Sequence, residues 1–503
     1  MSDVIHSLTV ETMTGDLSIP VTGVTHDSRN VSDGFVFVAV DGFKHEGVRF
    51  VDQARERGAA AVIASCAPRE GAGGMAWATV KNTRAALSRA AANFYGNPTR
   101  KMKVVGITGT SGKTTVSYII HSMLEAAGMA SGIMGTIETR AGSISKKSKL
   151  TTPEATDIHA AASDMLASGI EAMVMEVSSH SLKLHRVDDV DFDVAVFMNL
   201  GHDHLDFHGD LEDYAASKSI LFSKLLKIAD HAGMVVNAMD GRTEEITGGY
   251  GGKALRFSME DGPGVDIAPV RFEATLEGIE AELKTPAGAM RVRSPLLGLH
   301  NLMNIMATAG VGLLCGIDRA SMEKGIAALD RVPGRMDRIA GKDGRSIVVD
   351  YSHTPDSLKA AIESLSLLTK GRIITVFGAG GDREKEKRPL MGTVACEKSS
   401  CAVVTSDNPR SEDPLAIIAM IVEGLEDGGF ARSEGELGPG TFVVIPDREE
   451  AINVAIRAAG PGDVVLIAGK GHEDYQIFSD RVIHFDDKEV ALEALKSLQL
   501  NEG

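Results

Sequence analysis

VVGITGTSGKTTVSY, residues 104–118, passes from a short β-branched run through a glycine-rich turn to Lys-Thr-Thr and then into a helical pattern. Strand, turn and helix in that order describe a loop built to hold phosphate. Gly106, Gly109 and Gly112 let the backbone bend until its N–H groups converge on a phosphate chain, and a helix opening at Lys113 adds the positive end of its dipole. The candidate nucleotide contacts are therefore Gly109, Thr110, Ser111, Gly112, Lys113, Thr114 and Thr115. Lys113 would neutralise the outer phosphates, and the Thr114 hydroxyl would face Mg²⁺. The spacing is G-x-x-G-x-x-G-K-T-T rather than the commoner G-x-x-x-x-G-K-[ST], because position 107 is Ile. A glycine turn with an incidental lysine would not also bring paired threonines and both flanking elements.

The rest of the chain is that of a globular protein acting on small molecules. Its 503 residues suffice for about three domains, and 43% hydrophobic with 24% charged residues is ordinary for a folded chain. A net charge of −17 argues against nucleic acid or an anionic membrane as partner, although a local basic pocket can still hold a phosphorylated substrate. Cys66, Cys315, Cys396 and Cys401 are scattered, with no C-x-x-C pair, and read as reduced thiols of a cytosolic protein. The start, MSDVIHSLTVETMTGDLS, lacks a basic and apolar leader, and no stretch is apolar for long enough to span a membrane, so the expected location is the cytoplasm.

The alternation of strand and helix patterns divides the chain in three. FVFVAV and AAVIAS alternate with helical runs before RAALSRAAANFYG, giving a small α/β domain over residues 1–101. A second α/β domain, 102–332, opens with the phosphate loop and continues through AMVMEV, DVAVFMNL and the helix NLMNIMATAGVGLL. Pro333-Gly334 in RVPGRMDRI is turn chemistry suited to a boundary. Over 333–503, SIVVDYS, RIITVFGAGG, CAVVTSDNP, TFVVIPD and DVVLIAGKGHE are separated by helices, which implies a parallel, doubly wound, Rossmann-like sheet. Ligands of such sheets bind at the carboxyl ends of strands, so the polar and glycine-rich loops there should face one site. The fold class is α/β in three domains, with a central P-loop-type ATP-binding domain.

Two apolar strands end in groups suited to a metal beside the phosphates. Strand 172–177 delivers Glu176, followed by Val-Ser-Ser-His, and strand 193–200 delivers Asn199, followed by Gly201-His202-Asp203-His204. Glu176 and His204 are the candidate Mg²⁺ ligands, together with Thr114. For one such residue alone, a capping carboxylate or a core histidine would be an equal reading; two arriving on strands beside the same loop favour the metal.

These motifs, with YAASK, GLHNLMNIMATAG, VPGRMDR, VVDYSHTPDSL and VFGAGGDREKEKRPLMG, resemble the Mur ligase family, the ATP-dependent amide-forming enzymes of peptidoglycan precursor synthesis. The resemblance spans nearly the whole chain. Within the family, AGKGHEDYQ and the DNPR stretch at 407–410 look like the branch that adds the third amino acid. The resemblance implies that Lys113, Glu176, His204 and Lys218 carry catalysis, that Lys218 in YAASK is carbamylated by CO₂, and that the carbamate binds a second Mg²⁺. A neutral amine can capture CO₂ and become anionic, whereas an ammonium would repel the metal. Composition alone would make Lys218 an exposed helix lysine. The resemblance further implies that Asn304 contacts adenine and that Arg335, Asp350 and His353 hold the ribose and phosphates; Arg335 after Pro-Gly could equally form a linker salt bridge.

For the UDP-N-acetylmuramoyl-dipeptide, the resemblance implicates His26, Ser28, Phe43, Lys44 and His45 in the first domain, and Thr151, Thr152, Ser178 and Arg186 in the second. Leu184 stands where a polar residue such as Gln would be expected, and Ser111 where Asn is frequent. For the incoming amino acid it implicates Arg383, Asp407, Asn408, Pro409, Arg410, Gly469 and Glu473. Meso-diaminopimelate differs from lysine by a second amino-acid head, whose carboxylate Arg410 can grip with two parallel bonds while Asp407, Asn408 and Glu473 accept from its ammonium groups. A lysine-adding member would share everything except Arg410. A folylpolyglutamate-synthetase-like ligase would leave the first domain and the DNPR and GKGHE loops unexplained, and a non-catalytic relative would not need Lys113, Glu176, His204 and Lys218. The partners expected are the three small-molecule substrates, with no nucleic acid or membrane, for an enzyme acting as a monomer.

Overall fold

The computed structural model describes residues 1–42, 45–68, 75–229 and 232–501. They form two compact units: Met1–Val270, Leu283–Met290 and Met303–Ile326 make one, and Arg271–Glu282, Arg291–Leu302 and the chain from Ala327 onward make the other.

The first unit contains two sheets. The smaller is built from β1 (Val10–Thr14), β2 (Gly23–Thr25), β3 (Phe35–Val38), β4 (Ala61–Ala64) and β5 (Ala76–Val80), in the order β1-β5-β4-β3-β2. All pairs are parallel except β1 on β5. Parallel strands covered on both faces read as unbroken apolar runs, which is why FVFV and AVIA show no alternation. Asn82 caps the following helix, Thr83–Phe94, by accepting from the N–H groups of Arg84 and Ala85.

The larger sheet comprises β6 (Lys103–Thr108), β7 (Ser131–Met134), β8 (Glu138–Ala141), β9 (Ile144–Lys147), β10 (Ala172–Glu176), β11 (Val194–Phe197), β12 (Gly233–Asn237) and β13 (Lys253–Phe257). Its order is β13-β12-β11-β6-β10-β7-β8-β9. The strands from β13 to β7 run parallel, and β8 and β9 extend the sheet as antiparallel hairpins. β6 lies between β10 and β11, with Glu176 beside Ile107 and Phe197 beside Thr108. That order brings the phosphate loop, Glu176 and the segment after β11 to one edge of the sheet. A further three-stranded sheet, β14 (Ala268–Thr275), β15 (Gly278–Lys284) and β16 (Met290–Ser294), was not anticipated from the sequence.

The second unit carries β17 (Asp337–Ala340), β18 (Ser346–Asp350), β19 (Ile373–Phe377), β20 (Cys401–Val404), β21 (Ala431–Arg432), β22 (Thr441–Val444) and β23 (Val464–Ala468), in the order β17-β18-β23-β19-β20-β22-β21. All neighbours are parallel except β17 against β18. Alternate residues face opposite layers. Val348 packs among helices Pro355–Ser366, Lys387–Lys398 and Pro414–Asp427, while Ile347 and Val349 pack against Arg448–Ala458 and the helix beginning at Asp487. The doubly wound sheet expected over this region is present, with β17 as an antiparallel edge where the sequence suggested only a turn. A hairpin of β24 (Tyr475–Ile477) and β25 (Val482–His484) follows. Among the described residues all four cysteines are thiols, and no helix is long and apolar enough to cross a membrane.

Candidate active site

The phosphate loop joins β6 to helix Lys113–Ala126 through two glycines in conformations that a side chain would strain. Gly109 has φ +154° and Gly112, the N-cap, φ +87°; a Cβ at Gly109 would stand 2.8 Å from Met198 Cβ. Asn199, at the end of the β11 segment, clamps the loop from the side. Its Oδ1 accepts from Ser111 N (2.8 Å), its Nδ2 donates to Ser111 O (3.4 Å), and its carbonyl accepts from Thr110 N (2.9 Å). Thr110 Oγ1 accepts from Gly201 N (2.8 Å) and lies 3.2 Å from Tyr214 Oη. Lys113 Nζ donates to the carbonyls of Gly109 (2.8 Å) and Thr110 (3.0 Å), so its ammonium lies over the loop itself. Thr115 is buried at the start of the helix, and Asn304 stands beside Gly112.

Glu176 is buried at the end of β10 and is held by three donors. Thr114 Oγ1 donates to Oε2 (3.0 Å), Thr136 Oγ1 donates to the same oxygen (3.0 Å), and Thr136 N donates to Oε1 (2.8 Å). Among the described residues no cation pairs with this carboxylate. Thr136, in the turn after β7, also accepts from Thr151 Oγ1 (3.1 Å), its own hydroxyl proton going to Glu176. Thr152 Oγ1 donates to the Glu176 carbonyl (2.8 Å) and accepts from Ser178 N (3.0 Å). Arg186 Nη1 donates to the Thr152 carbonyl (3.1 Å), and its Nε lies 2.8 Å from Glu154 Oε1. Thr151, Thr152, Ser178 and Arg186 thus form one connected group reaching Glu176 and Thr114.

Lys218 lies on helix Leu211–Ile220 and is buried, which corrects the expectation of an exposed lysine drawn from composition. The helix packs this residue inward, with its ammonium 4.3 Å from the centre of the Tyr214 ring and no carboxylate within ion-pair distance among the described residues. Burial, and after it the charge of Lys113, hold its amine well below the ordinary lysine value, which favours the neutral form. Burial likewise pushes Tyr214 up to about 12. His204 begins the short helix Leu205–His208 in a left-handed conformation, φ 56°, and its ring meets His180 edge-on at 4.8 Å. Burial takes the His180 pKa down to about 4, favouring a neutral imidazole, while the His204 ring stays about half exposed. His208 is tied by Asp213 (2.8 Å) and Ser179 (2.9 Å), which fix its ring.

In the smaller sheet, Ser28 is buried and donates to Gln53 Oε1 (2.6 Å), while His26 Nδ1 is buried with no hydrogen-bond partner among the described residues. His45 is exposed, its ring edge-on to Phe50 at 6.3 Å. Phe43 and Lys44 lie outside the described residues.

In the second unit, the loops after β18, β19, β20 and β23 pack on one another, as the parallel sheet requires. Gly381 N donates to the Asn408 carbonyl (2.9 Å), Arg410 Nη1 donates to the Gly381 carbonyl (2.6 Å), and Gly334 and Gly471 touch closely. Arg388, fully buried, binds both oxygens of Glu412 (2.9 and 2.8 Å), and Asp382 N donates to Glu412 Oε1 (2.6 Å). The Arg388 guanidinium holds the Glu412 carboxyl down at about 2. This pair ties the loop bearing Arg383 to the loop bearing Pro409 and Arg410. Asp407 is buried beside Gly469, whose φ is +117°. Asn408 Oδ1 accepts from Lys470 Nζ (3.2 Å) and Ile477 N (3.0 Å), and its Nδ2 donates to Glu473 Oε2 (2.8 Å). Both lone pairs of the Asn408 side-chain oxygen are thus engaged, so this side chain braces the loops on which it stands.

Arg335 stacks its guanidinium over Tyr351 (4.7 Å). Asp350 accepts from Met336 N (2.8 Å) and Ser352 N (3.0 Å), closing the turn that carries His353. Lys387 Nζ donates to the His353 carbonyl (2.9 Å). The residues that sequence reasoning did not assign are Thr136, Arg388, Glu412 and Lys470, together with the clamping role of Asn199.

Among the described residues no group of three or more His, Cys, Asp and Glu stands together as a ready metal site. A buried carboxylate lacking a basic partner, with a threonine hydroxyl against it at a phosphate loop, nevertheless suits Mg²⁺. That ion is commonly held by one or two carboxylates while substrate phosphates and water complete its shell.

Comparison with known proteins agrees with this geometry. Residues 20–95 match the Mur ligase family catalytic domain, 107–312 the Mur ligase middle domain, and 334–471 the Mur ligase glutamate ligase domain. A UDP-N-acetylmuramoyl-L-alanyl-D-glutamate--2,6-diaminopimelate ligase of Geobacter metallireducens is 40% identical over 492 residues, 96% of each chain. A ligase of the same name from Solibacter usitatus is 41% identical over 483 residues, covering 95% of this chain and 94% of its own. A solved structure of a ligase with that name superposes with a TM-score of 0.69 at 31% identity, covering 95% of this chain and 96% of that one. MurF ligase from Thermotoga maritima, solved in complex with ADP, shares the fold at 22% identity and a TM-score of 0.61. With its three domains matched in order and this identity sustained from end to end, the chain belongs to the Mur ligase family.

Proposed function

We propose that this protein is an ATP-dependent ligase that joins meso-2,6-diaminopimelate to the D-glutamyl γ-carboxylate of UDP-N-acetylmuramoyl-L-alanyl-D-glutamate. The observation that carries the reading is identity near 40%, over almost the full length, to ligases of that name. Arg410 supports diaminopimelate over lysine. It sits in a loop fastened to that of Arg383 through Arg388 and Glu412, and only diaminopimelate brings a second carboxylate for a guanidinium to grip. In this reading residues 1–101 hold the UDP-muramoyl end, 102–332 bind ATP and 333–503 take the amino acid. The reaction belongs to cytoplasmic peptidoglycan precursor synthesis, on which cell shape and division depend, and the enzyme works as a monomer without nucleic acid or membrane.

The route is through an acyl phosphate. The γ-carboxylate oxygen attacks the γ-phosphorus of ATP, the bond from that phosphorus to the β,γ-bridging oxygen breaks, and ADP leaves. The amine of diaminopimelate then adds to the acyl carbonyl, and collapse of the tetrahedral intermediate expels phosphate and leaves the amide. Charge concentrates on the phosphoryl oxygens in the first step. Asn199 would keep the loop in shape, and the Lys113 ammonium, which rests on the Gly109 and Thr110 carbonyls, would turn from them to the phosphoryl oxygens and stabilise that charge. Thr151, Thr152, Ser178 and Arg186 would orient the dipeptide end against that centre.

Thr114, Glu176, His204 and carbamylated Lys218 would hold Mg²⁺, which when bound supplies charge neutralisation of the phosphates. The buried, neutral-leaning Lys218 amine fits carbamate formation from CO₂, and Lys113 supplies the positive charge that favours an anionic product there. Mass spectrometry of reaction mixtures tests the proposal. The nucleotide product heavier by one diaminopimelate less water should form only when ATP, Mg²⁺ and both other substrates are present. Its absence from complete mixtures containing folded protein would refute the assignment.

A further inference from the structure

Lys470 follows β23 in the sequence AGKGHE and is entirely buried in the second unit. A lysine removed from water is costly unless its ammonium is paired, and a hydrocarbon of the same length would pack there more cheaply. Its Nζ donates to Glu473 Oε2 (3.1 Å) and Asn408 Oδ1 (3.2 Å) and lies 5.3 Å from the centre of the Tyr475 ring. Asn408 Nδ2 donates to the same Glu473 oxygen (2.8 Å), so both donors converge on Oε2 and fix the rotation of the carboxylate. Asn408 is itself held by Ile477 N (3.0 Å) and its loop by Gly381 N. The lysine is confined by its own backbone. Gly469 and Gly471, on either side, have φ of +117° and +55°, and Gly471 packs against Tyr351 and Gly334.

From this arrangement we infer that Lys470 is a positioning residue for amino-acid selection, fixing Glu473 through Oε2 so that its carboxylate meets the ammonium of the incoming diamino acid. The inference rests on the reading above that the Asp407–Arg410 and Gly469–Glu473 loops take that substrate. Lys470 does not touch the substrate; it acts through Glu473. The guanidinium of Arg410 and the carboxylate of Glu473 then address the two charges of one amino-acid head, and selection depends on both being held.

The test is a double-mutant cycle on the full chain with K470M, E473Q and K470M/E473Q, read as KM for meso-diaminopimelate, kcat, KM for ATP and selectivity over L-lysine. K470M should raise KM for diaminopimelate about tenfold and cut selectivity, with kcat and the ATP KM within about twofold, a split that general loosening of the fold would not give. K470R should restore part of the loss. In the E473Q background, K470M should add less than about twofold, because a residue acting through Glu473 has nothing further to lose. Unchanged KM in K470M, or full additivity in the double variant, overturns the inference. If K470M does not fold, the comparison of K470M/E473Q with E473Q decides alone, since that variant removes both charges of the pair. Wild-type protein that turns over neither diamino acid would instead fail the functional reading, so the two failures are distinguishable.

Discussion

Ser111 and Asn199 hold each other by two hydrogen bonds, Ser111 N to Asn199 Oδ1 (2.8 Å) and Asn199 Nδ2 to Ser111 O (3.4 Å). The contact fixes the shape of the phosphate loop from the segment after a neighbouring strand before a nucleotide arrives. Asn199→Ala should therefore raise KM for ATP by about five- to thirtyfold, equivalent to about 1–2 kcal/mol, with KM for the amino acid unchanged. Steady-state phosphate release checks it, and an unaltered ATP KM would show that the loop needs no clamp.

Lys218 is buried with its amine biased toward the neutral form. Arginine keeps much of the length but is permanently charged and has no neutral amine to react with CO₂. Lys218→Arg should lose about a hundredfold or more in kcat, and ¹³CO₂ should give a carbamate resonance in wild-type protein that the variant lacks. A resonance that persists in Lys218→Arg would place the carbamate elsewhere, and full activity would remove Lys218 from the mechanism.

Glu412 joins the two arginine-bearing loops through Arg388 and Asp382. Glu412→Gln keeps the shape and removes the charge, so Arg388 is left buried without its counter-ion. KM for diaminopimelate should rise about tenfold while KM for ATP stays the same. A parallel rise in both constants would point to general loosening rather than a role in amino-acid binding.

His159 is fully buried, neither ring nitrogen has a hydrogen-bond partner among the described residues, and burial, with the charge of Arg89, lowers its pKa to about 4. In the unfolded chain the value is about 6.5. Between these values the unfolded state binds more protons, so stability present above about pH 6.5 is lost as pH falls toward 4, amounting to about 3 kcal/mol. Thermal melts at pH 7 and pH 4.5 should separate wild type from His159→Leu, with the variant losing less Tm on acidification. Equal losses would mean that His159 does not set the acid limb.

The elements that were legible in the sequence were those whose physics is local, such as the strand, turn and helix around Lys113. Glycines, Lys113 and paired threonines sit within one turn, and the strand and helix periods of 346–468 leave little choice but a parallel sheet. The burial of Lys218 was not legible, because its helix reads as polar and becomes enclosed only when Tyr214 meets the phosphate loop. Thr136 and Asn199 reach Glu176 and Ser111 from separate strands, so only the order β11-β6-β10-β7 brings them together. β17 was hidden because Pro333-Gly334 marked a turn, and nothing in Asp337–Ala340 showed that β18 would pair with it. The bracing of Asn408 was not legible in its contiguous motif, because the donors to its side-chain oxygen, Lys470 and Ile477, lie far along the chain.

The most direct test of the central claim is phosphate release from ATP by purified protein with Mg²⁺ and UDP-N-acetylmuramoyl-L-alanyl-D-glutamate, comparing meso-diaminopimelate with L-lysine. The account predicts turnover that depends on diaminopimelate and is at least about a hundredfold weaker with lysine, the discrimination available when a guanidinium held in a substrate site is left without its carboxylate. Equal or greater turnover with lysine would contradict the role given to Arg410, and no release with either amino acid would contradict the ligase assignment itself.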